Sequence, residues 1–446
     1  MSRTYRRAIL ATCVCLSVIA AALASAAGAG PAPTPAGAID RELLGMVVRD
    51  PWYDFGTSPD LPDQPNQVSQ EHMGAILEQA GVRWVRFEFF VAGDDPAALD
   101  RTFARYDFFV NEVAPRHGLK VLGLLSFGVV SETGPLDKDR GIIANQFADD
   151  PTYGGGVNPY IKRWLDRALG IANHYQGAVA AYEVLNEQNR LPSSGQAVPA
   201  YLAARLHTKF YRQIKAPAIP DGAAWRDSVK VIVGGLHPKG TLEKGQADYL
   251  SDTDYLRQLY GYYYDQKTST YILKPSDPFP AYLTSYGTYP LDGLGYHPYP
   301  EEIRLSAQAD AELIDTRLTA IRSVLGDVND IGRHYWITEV GYNTAFKQQD
   351  EAGQAAFMRA VYTGMASRGD VDAIFWFKYE DFPPASGPDA QRWGIVSIPF
   401  TVSATCPGGA CYDAAGNPSA VRLAFFTYRE LAGLPVYRAE LPLVMR

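Results

Sequence analysis

Short apolar runs recur along the chain, and each is followed by a polar stretch and then by a segment of helical periodicity. Eight of these runs are rich in Val, Ile, Leu and aromatic residues, which is typical of strands buried on both faces. The predicted strands are Leu43–Asp50, Val82–Phe90, Leu119–Phe127, Val179–Glu187, Val229–His237, Leu291–Pro300, His334–Tyr342 and Val371–Asp381.

The amphipathic segments between these strands predict helices. They are Gln70–Ala80, Leu99–His117, Asn158–Tyr175, Pro199–Lys215, Ala307–Leu325 and Glu351–Ser367. Strands that alternate with helices imply a parallel sheet. Eight repeats favour a closed barrel over an open sheet, so the fold class expected is α/β, with a (β/α)8 TIM barrel.

The connection at about residues 238–290 is the longest in the chain, and it is rich in Tyr, Pro and Gly. We expect it to hold a helix and a loop that lies over one rim of the barrel. Long loops in compact domains are often functional, and this one would either close a cleft or form the wall of an open groove.

The first residues have the layout of a secretory signal. Three arginines precede an apolar run, Ala8–Ala24, and Ala24-Ser25-Ala26 is a suitable cleavage site. An uncleaved membrane anchor is the alternative. The expected organisation is a signal peptide over residues 1–26, a Pro/Ala/Gly-rich linker over 27–38 and a single catalytic domain over 39–446. The expected location is secreted or extracytoplasmic.

The cysteines agree with export. Two of the four lie in the predicted signal peptide, which leaves Cys406 and Cys411 on either side of a PGGA loop. A disulfide between them is feasible in an oxidising compartment and would stiffen the loop locally.

Charge and motif content narrow the function. The net charge is −8, and it becomes −11 without the three signal arginines (38 basic against 49 acidic residues), which disfavours a nucleic-acid partner. No membrane partner is expected after signal cleavage. The chain lacks G-x-S-x-G and H-E-x-x-H motifs and Cys/His spacings typical of zinc sites, so no cofactor or metal is expected. Pro298 and Pro300 prevent a helix that would pair His297 with Glu301 as metal ligands.

Polar and aromatic residues gather at the ends of the predicted strands, where barrels of this kind carry their active sites. These residues include Asp50, Glu88, Asn186, Glu187, His237, His297, Tyr299, Glu339 and Trp376. Strand alternation predicts that Glu183, Leu185 and Glu187 share one face, and that Tyr335, Ile337 and Glu339 share one face. Glu187 and Glu339 are therefore expected to face each other across the barrel mouth.

Two carboxylates across a cleft suit the cleavage of a glycosidic bond. One gives a proton to the leaving oxygen, and the other attacks the sugar or activates water. The alternative is that each glutamate is a solvated residue at a strand end or a member of a structural ion pair.

The segments YEVLNEQN and WITEVGYN resemble the acid/base and nucleophile motifs of the clan A retaining glycoside hydrolases, in which two glutamates end the fourth and seventh strands. The resemblance spans about residues 39–431 and lies nearest to families five and thirty-nine, which are cellulase-like and β-xylosidase-like. Gln188 is a departure, because the family usually has Pro after the acid/base glutamate.

The resemblance implies a role for each residue that matches it. Glu187 would be the general acid/base and Glu339 the nucleophile. Asn186 would bind the sugar 2-hydroxyl, Arg86 would hold Glu339 ionised, and Tyr299 would donate to Glu339. His297 would bind sugar or orient a carboxylate, Trp376 would stack on a sugar ring, and His237 would support the site. Glu183 is expected inside the barrel with a partner such as Arg86.

The function expected is therefore a retaining hydrolase that cleaves β-glycosidic bonds in a polysaccharide or oligosaccharide. Three alternatives stay open: a carbohydrate-binding barrel without catalysis, a transglycosylase with the same site, and a structural or adhesion protein. The sequence identifies neither the sugar nor the oligomeric state.

Overall fold

The computed structural model of the protein describes residues 37–48, 66–130, 133–215, 224–238, 250–300, 306–346, 349–382, 392–402, 410–412 and 417–436. The chain divides into two compact units, Met1–Ala38 and Ile39–Arg446. Only Gly37 and Ala38 of the first unit are described, so the predicted signal peptide and most of the linker lie outside the described residues. Among the described residues, no helix has the length and apolarity needed to cross a membrane.

Eight parallel strands close into a barrel in the second unit. They are β1 (Leu44–Val47), β2 (Trp84–Glu88), β3 (Lys120–Leu125), β4 (Ala181–Val184), β5 (Lys230–Leu236), β6 (Gly293–Tyr296), β7 (Tyr335–Gly341) and β8 (Val371–Phe377). Each strand pairs with its neighbours along the chain, and β8 pairs with β1. The predicted (β/α)8 fold is confirmed, and every strand lies inside its predicted segment. The observed strands are shorter because their polar ends form the loops of the mouth.

Helices surround the barrel. They are Gln67–Ala80, Ala98–Arg116 (with a π-helical stretch at Phe108–Val113), Pro159–Tyr175, Ala200–Lys215, Trp225–Ser228, Asp252–Leu259, Pro278–Tyr286, Ala307–Asp327, Glu351–Ala366 and Leu423–Leu431. The six predicted helices are confirmed to within a few residues at each end. Helix Leu423–Leu431 was not among the predicted helices; its Tyr428 donates to the carbonyl oxygen of Gly45 over 2.7 Å and so fixes this helix against β1.

Local signals explain where the helices begin and end. Asn158 caps Pro159–Tyr175 by accepting from the Ile161 backbone N–H, and proline at the first position is preset for a helical φ. Gly81 ends Gln67–Ala80 at φ +88, and a Cβ there would lie 2.3 Å from the Cβ of Ala432. Both the backbone conformation and the close packing therefore require glycine.

The core has two layers. The barrel interior is filled by one small cluster: Val47, Trp84, Leu122, Ala181, Ile232, Trp336, Ala373 and Phe375. A much larger apolar cluster lies between the strands and the helices. Because both faces of each strand are buried, the sequence shows continuous apolar runs in place of simple alternation.

Short antiparallel strand pairs and 3-10 turns complete the connections. The strand pairs are Ala148–Asp150 with Gly154–Val157, Tyr262–Asp265 with Thr270–Leu273, Val396–Ser397 with Ala420–Val421, and Phe400–Val402 with Ala410–Tyr412. The 3-10 turns are Arg41–Leu43, Phe127–Val129, Gln176–Ala178 and Pro192–Ser194.

The Tyr-rich connection differs from the single helix and loop expected. Its described part, residues 250–290, holds two helices and a hairpin. Tyr260 donates to Asp330 over 2.7 Å, in the turn that precedes β7, and Tyr271 donates to Asp254 on the outer helix over 2.5 Å. These two contacts hold the described part of the connection against the outer helix layer.

Candidate active site

Glu187 and Glu339 meet at the carboxyl-terminal end of the barrel. One carboxylate oxygen of each lies within 4.8 Å of the other and of a ring nitrogen of His297. Glu187 is 7% exposed and Glu339 is 9% exposed. The two acids are therefore nearly enclosed at the mouth while keeping a route to solvent, which is the position expected from the sequence.

Glu187 is surrounded by three cationic or potentially cationic groups. Its Oε1 lies 3.0 Å from Nδ1 of His297 and 3.4 Å from Nδ1 of His237, and Arg190 donates to its Oε2 over 3.1 Å. Burial raises the pKa of Glu187, but the two histidines outweigh burial and bring this pKa well below its ordinary value. The site without substrate therefore holds Glu187 as a carboxylate.

Glu339 has different partners. Arg86 donates to its Oε1 over 2.8 Å, and the Tyr299 hydroxyl donates to its Oε2 over 3.0 Å. Burial and the charges of Glu339 and Glu187 raise the pKa of Tyr299 well above its ordinary value, so the phenol keeps its proton. The expected contacts of Arg86 and Tyr299 with Glu339 are both present.

Arg86 connects three side chains of the site. Besides Glu339, it donates from Nε to Glu183 over 2.5 Å and from its second terminal nitrogen to Oδ1 of Asn186 over 2.8 Å. Burial lowers the pKa of Arg86, but the charges of Glu183 and Glu339 outweigh burial and raise this pKa. The planar fork of the guanidinium thus fixes one carboxylate inside the barrel and one at its mouth. The expected pairing of Glu183 with Arg86 is confirmed.

A chain of hydrogen bonds determines which nitrogen of His297 carries a proton. The Thr338 hydroxyl donates to Glu183 over 2.9 Å, so its single proton is used. Nε2 of His297 lies 3.0 Å from this hydroxyl oxygen and must donate to it. Nδ1 therefore faces Glu187 over 3.0 Å, and one proton is shared between the imidazole and the carboxylate.

The charges around His297 place that shared proton on the imidazole. Burial lowers the pKa of His297, and the charges of Glu339 and Glu187 outweigh it and raise this pKa above its ordinary value. The imidazolium form agrees with the carboxylate form of Glu187.

Gly235 makes room for this arrangement. A Cβ at this position would lie 2.1 Å from Nε2 of His297 and 2.6 Å from the Thr338 hydroxyl oxygen. Its backbone N–H also donates to Glu183 over 2.8 Å, and its carbonyl accepts from the N–H of Glu187 over 3.0 Å. The second glycine of the VIVGGLH segment is therefore required by the site, although it was not among the predicted site residues.

The alternation predicted along the fourth strand is wrong beyond Val184. Leu185 has φ +69 and Glu187 has φ +46, so the strand stops and the backbone turns. Leu185 packs in the outer core, whereas Glu183 points inside the barrel. Glu187 reaches the mouth through this turn. Gln188, the residue after Glu187, is buried and donates to the carbonyl of Gly234 over 3.2 Å.

The alternation predicted along the seventh strand is also wrong. Tyr335 and Ile337 belong to the outer core, while Thr338 contacts the interior residue Glu183. The pairing of β7 with β8 shifts register between Ile337 and Val340. This irregularity turns Glu339 towards Arg86, so that consecutive residues 338 and 339 both serve the site.

Trp376 is not at the pocket. It is fully buried, and its ring packs beside Phe357 and Tyr362 of the outer helix Glu351–Ala366. The next residue in β8, Phe377, faces the other way and makes edge contacts with Tyr299 and Trp393. Phe377 and Trp393, rather than the predicted Trp376, are therefore the aromatic residues beside Tyr299, which contacts Glu339.

Asp50 and Cys406 lie outside the described residues, and only the backbone of Cys411 is described, so the predicted disulfide stays a prediction.

Glu187, His297 and Glu339 have donor atoms of the types that bind metals, and these atoms lie close enough together to coordinate one ion. However, Arg86 already donates to Glu339 and Arg190 already donates to Glu187. A cation placed between them would be repelled by both guanidinium groups. The donor set fits proton chemistry between two carboxylates better than a metal centre.

Comparison with solved structures finds proteins with a similar overall fold. A family 1 β-glucosidase from Thermotoga maritima has a TM-score of 0.51, at 11% identity over 89% of this chain and 98% of that chain. A family 39 glycoside hydrolase from Bacteroides cellulosilyticus WH2 has a TM-score of 0.48 at 12% identity. The match covers 89% of this chain but only 65% of the length of that hydrolase. A β-xylosidase from Caulobacter crescentus CB15 has a TM-score of 0.47, at 15% identity, with coverages of 89% and 69%.

These similarities concern the fold. No family model and no curated protein matches the sequence. The family 1 β-glucosidase, whose TM-score is above 0.5, agrees with the predicted barrel fold.

Proposed function

We propose that this protein is an exported retaining glycoside hydrolase that cleaves β-glycosidic bonds in an oligosaccharide or polysaccharide. The observation that carries the proposal is the approach of the Glu187 and Glu339 carboxylates to within 4.8 Å at the barrel mouth. Their partners differ, as two acids with different tasks require. Retaining enzymes hold their carboxyl groups roughly 5–5.5 Å apart and inverting enzymes roughly 6.5–9.5 Å, so the short approach supports retention.

Glu339 is the nucleophile in this proposal. Its oxygen forms a bond to the anomeric carbon while the bond from that carbon to the leaving oxygen breaks. Arg86 and Tyr299 support this role because their two hydrogen bonds fix the carboxylate in place. Water then attacks the glycosyl-enzyme and releases the sugar with its original anomeric configuration.

Glu187 is the general acid in the first step and the general base in the second. Its low pKa without substrate suits the base step, in which it accepts a proton from water. The acid step requires a protonated Glu187. Arg190 is 35% exposed, so a bound sugar can displace it from Glu187. Loss of this cation and exclusion of water both favour the neutral acid, and the proton shared with His297 is the nearest source.

Substrate contacts follow from the remaining groups. Arg86 engages Oδ1 of Asn186, which directs the amide NH2 away from Arg86 and towards a substrate oxygen such as the 2-hydroxyl. Phe377 and Trp393 offer an aromatic wall for the apolar face of a sugar ring.

The test is a screen of aryl β-glycosides and β-linked polysaccharides with the full chain. Proton NMR of the first product formed should show the β-anomer before mutarotation. Glu187→Gln and Glu339→Gln should each lose activity by at least about 10³-fold, whereas Glu112→Gln, on an exposed helix face, should not. An α-anomer as first product would contradict retention. Binding without turnover on the whole panel would favour a lectin-like barrel, and mainly transfer products would favour a transglycosylase.

Export is part of the proposal and has its own test. The basic start, the apolar run and the A-S-A site are its support. Expression of the full chain in a bacterial host should release a protein whose new amino terminus is Ala27. A full-length chain that stays in the membrane fraction would favour the anchor instead.

A further inference from the structure

A second cavity lies on the outside of the barrel and shares no residue with the carboxylate pair. It has a volume of about 440 Å³ and is lined by helix Ala200–Lys215, the hairpin Ala148–Val157 and helix Pro278–Tyr286. We call this cavity the outer groove. Its lining includes both cationic side chains and tyrosines.

Three cations project along one side of the outer groove. Arg205, Lys209 and Arg212 are four and three residues apart, which places them on one face of their helix over about 10 Å. Within the described part of the chain, none of the three has a carboxylate within ion-pair distance. Asp277 is the only acidic side chain among the described residues that line the groove, and it accepts from the Tyr263 hydroxyl.

The direct contacts of Arg205 and Lys209 are with aromatic rings and backbone carbonyl oxygens. Arg205 lies over the rings of Phe147 and Tyr201, and Lys209 donates to the carbonyl oxygens of Tyr153 and Gly155. These contacts orient the side chains without neutralising them. Burial and the positive charges of Arg205 and Arg212 lower the pKa of Lys209, and the negative charge of Asp150 offsets them only in part. An anion in the groove would relieve this like-charge repulsion.

Aromatic rings flank the cations. Tyr201 is 41% exposed and Tyr286 is 43% exposed, and both line the groove together with Tyr153 and Tyr282. Exposed rings beside a line of cations provide apolar faces for packing and hydroxyls for hydrogen bonds. The C–H face of a pyranose ring fits such a surface, while a carboxylate on that ring fits an arginine fork.

We propose that the outer groove binds an acidic oligosaccharide, with its carboxylates on Arg205 and Arg212 and its rings on the tyrosines. This inference is independent of the catalytic proposal, because the groove contains neither glutamate of the mouth. Nucleic acid is the less suitable anion, since the chain as a whole carries a net charge of −8 and the cations are confined to one short groove.

The test measures binding of an oligogalacturonate and an oligomannuronate by calorimetry. Methyl-esterified oligogalacturonate has the same rings without the charges and serves as the neutral ligand. The full chain should bind an acidic oligosaccharide and not the ester, and its affinity should fall as salt is added. The double variant Arg205→Gln/Arg212→Gln should raise the Kd at least about tenfold. The control Lys138→Gln/Lys230→Gln removes two exposed charges outside the groove and should leave the Kd unchanged.

Several outcomes would overturn the inference. They are no binding of either acidic oligosaccharide, equal binding of the ester, and binding that the double arginine variant does not weaken. Preferential binding of a single-stranded DNA oligonucleotide through the same arginines would replace it with a different function. Activity on neutral glycosides should be the same in the double variant as in the unmodified protein, so failure at the groove and failure at the mouth are separable.

Discussion

The Thr338 hydroxyl donates to the Glu183 carboxylate over 2.9 Å inside the barrel, and this contact orients His297. Because the hydroxyl proton is committed to Glu183, Nε2 of His297 must donate to the hydroxyl oxygen and Nδ1 must face Glu187. A buried residue that touches no substrate thus determines where the proton beside the proposed general acid/base lies.

Replacing Thr338 tests this relationship. Thr338→Val keeps the shape and removes the hydroxyl, which leaves Glu183 with one donor fewer and His297 Nε2 without its acceptor. We expect a loss of about 1–3 kcal/mol in the free energy of unfolding. Nitrogen-15 NMR of the histidines should show a changed protonation pattern for His297. Thr338→Ser retains the hydroxyl and should restore the pattern; an unchanged His297 signal in the valine variant would exclude the hydrogen-bond chain.

Arg86 should be a major source of stability at the mouth. Arg86→Gln leaves Glu183 and Glu339 buried without their cation, and removal of one partner of a buried ion pair costs about 3–5 kcal/mol. Urea unfolding measures this loss, with Arg140→Gln as the exposed control. Equal midpoints for the two variants would show that the carboxylates are not held as charges by Arg86.

His237 should tune the pH dependence of the proposed reaction. The hydrogen bond from this histidine is the foremost contribution that lowers the pKa of Glu187, so His237→Ala raises that pKa. Glu187 then stays protonated to higher pH, and the alkaline limb of the kcat/KM profile moves to higher pH. His174→Ala, on an outer helix, is the control and should leave the profile in place. A shift to lower pH would contradict the assignment of Glu187 as the acid.

His207 should make the fold sensitive to acid, far from the mouth. Burial lowers the pKa of His207 to about 3, while its Nε2 contacts the carbonyl of Pro290. The unfolded chain takes up a proton below about pH 6.5 that the folded chain refuses, so stability falls as pH decreases. This one group accounts for about 2 kcal/mol between about pH 7 and pH 5.

The measurement for His207 is the pH dependence of unfolding. His207→Gln keeps a hydrogen-bond donor for Pro290 and should flatten the decline between these pH values. His334→Gln replaces an exposed histidine and should not. A decline of the same slope in all three proteins would place the acid sensitivity elsewhere.

The barrel could be predicted because its strands and helices follow from the local pattern of apolar and polar residues. Eight apolar runs that alternate with amphipathic helices can form few folds other than a closed parallel sheet. The ends of helices, such as Asn158-Pro159 and Gly81, are set by local backbone chemistry. The segments 179–187 and 334–342 showed which carboxylates end their strands. The sequence also favoured Arg86 and Tyr299 as partners of Glu339, and the contacts are as expected.

Other features depended on departures from regular geometry. The direction of each side chain was predicted from regular strand alternation. This alternation is broken by the positive φ angles at Leu185 and Glu187 and by the register shift in β7. The position of Trp376 was also predicted wrongly. Trp376 faces the outer helices, and Phe377 lies on the pocket side.

The sequence by itself determined the strand and helix order, and hence that residues 187 and 339 end strands at the same edge, because hydrophobic periodicity is a local property of the chain. Only the tertiary structure decided which way each side chain points at that edge and which distant groups share its protons. Gly235, Thr338 and Arg190 became visible as parts of the site only in three dimensions, because hydrogen bonds between residues far apart in sequence leave no periodic trace.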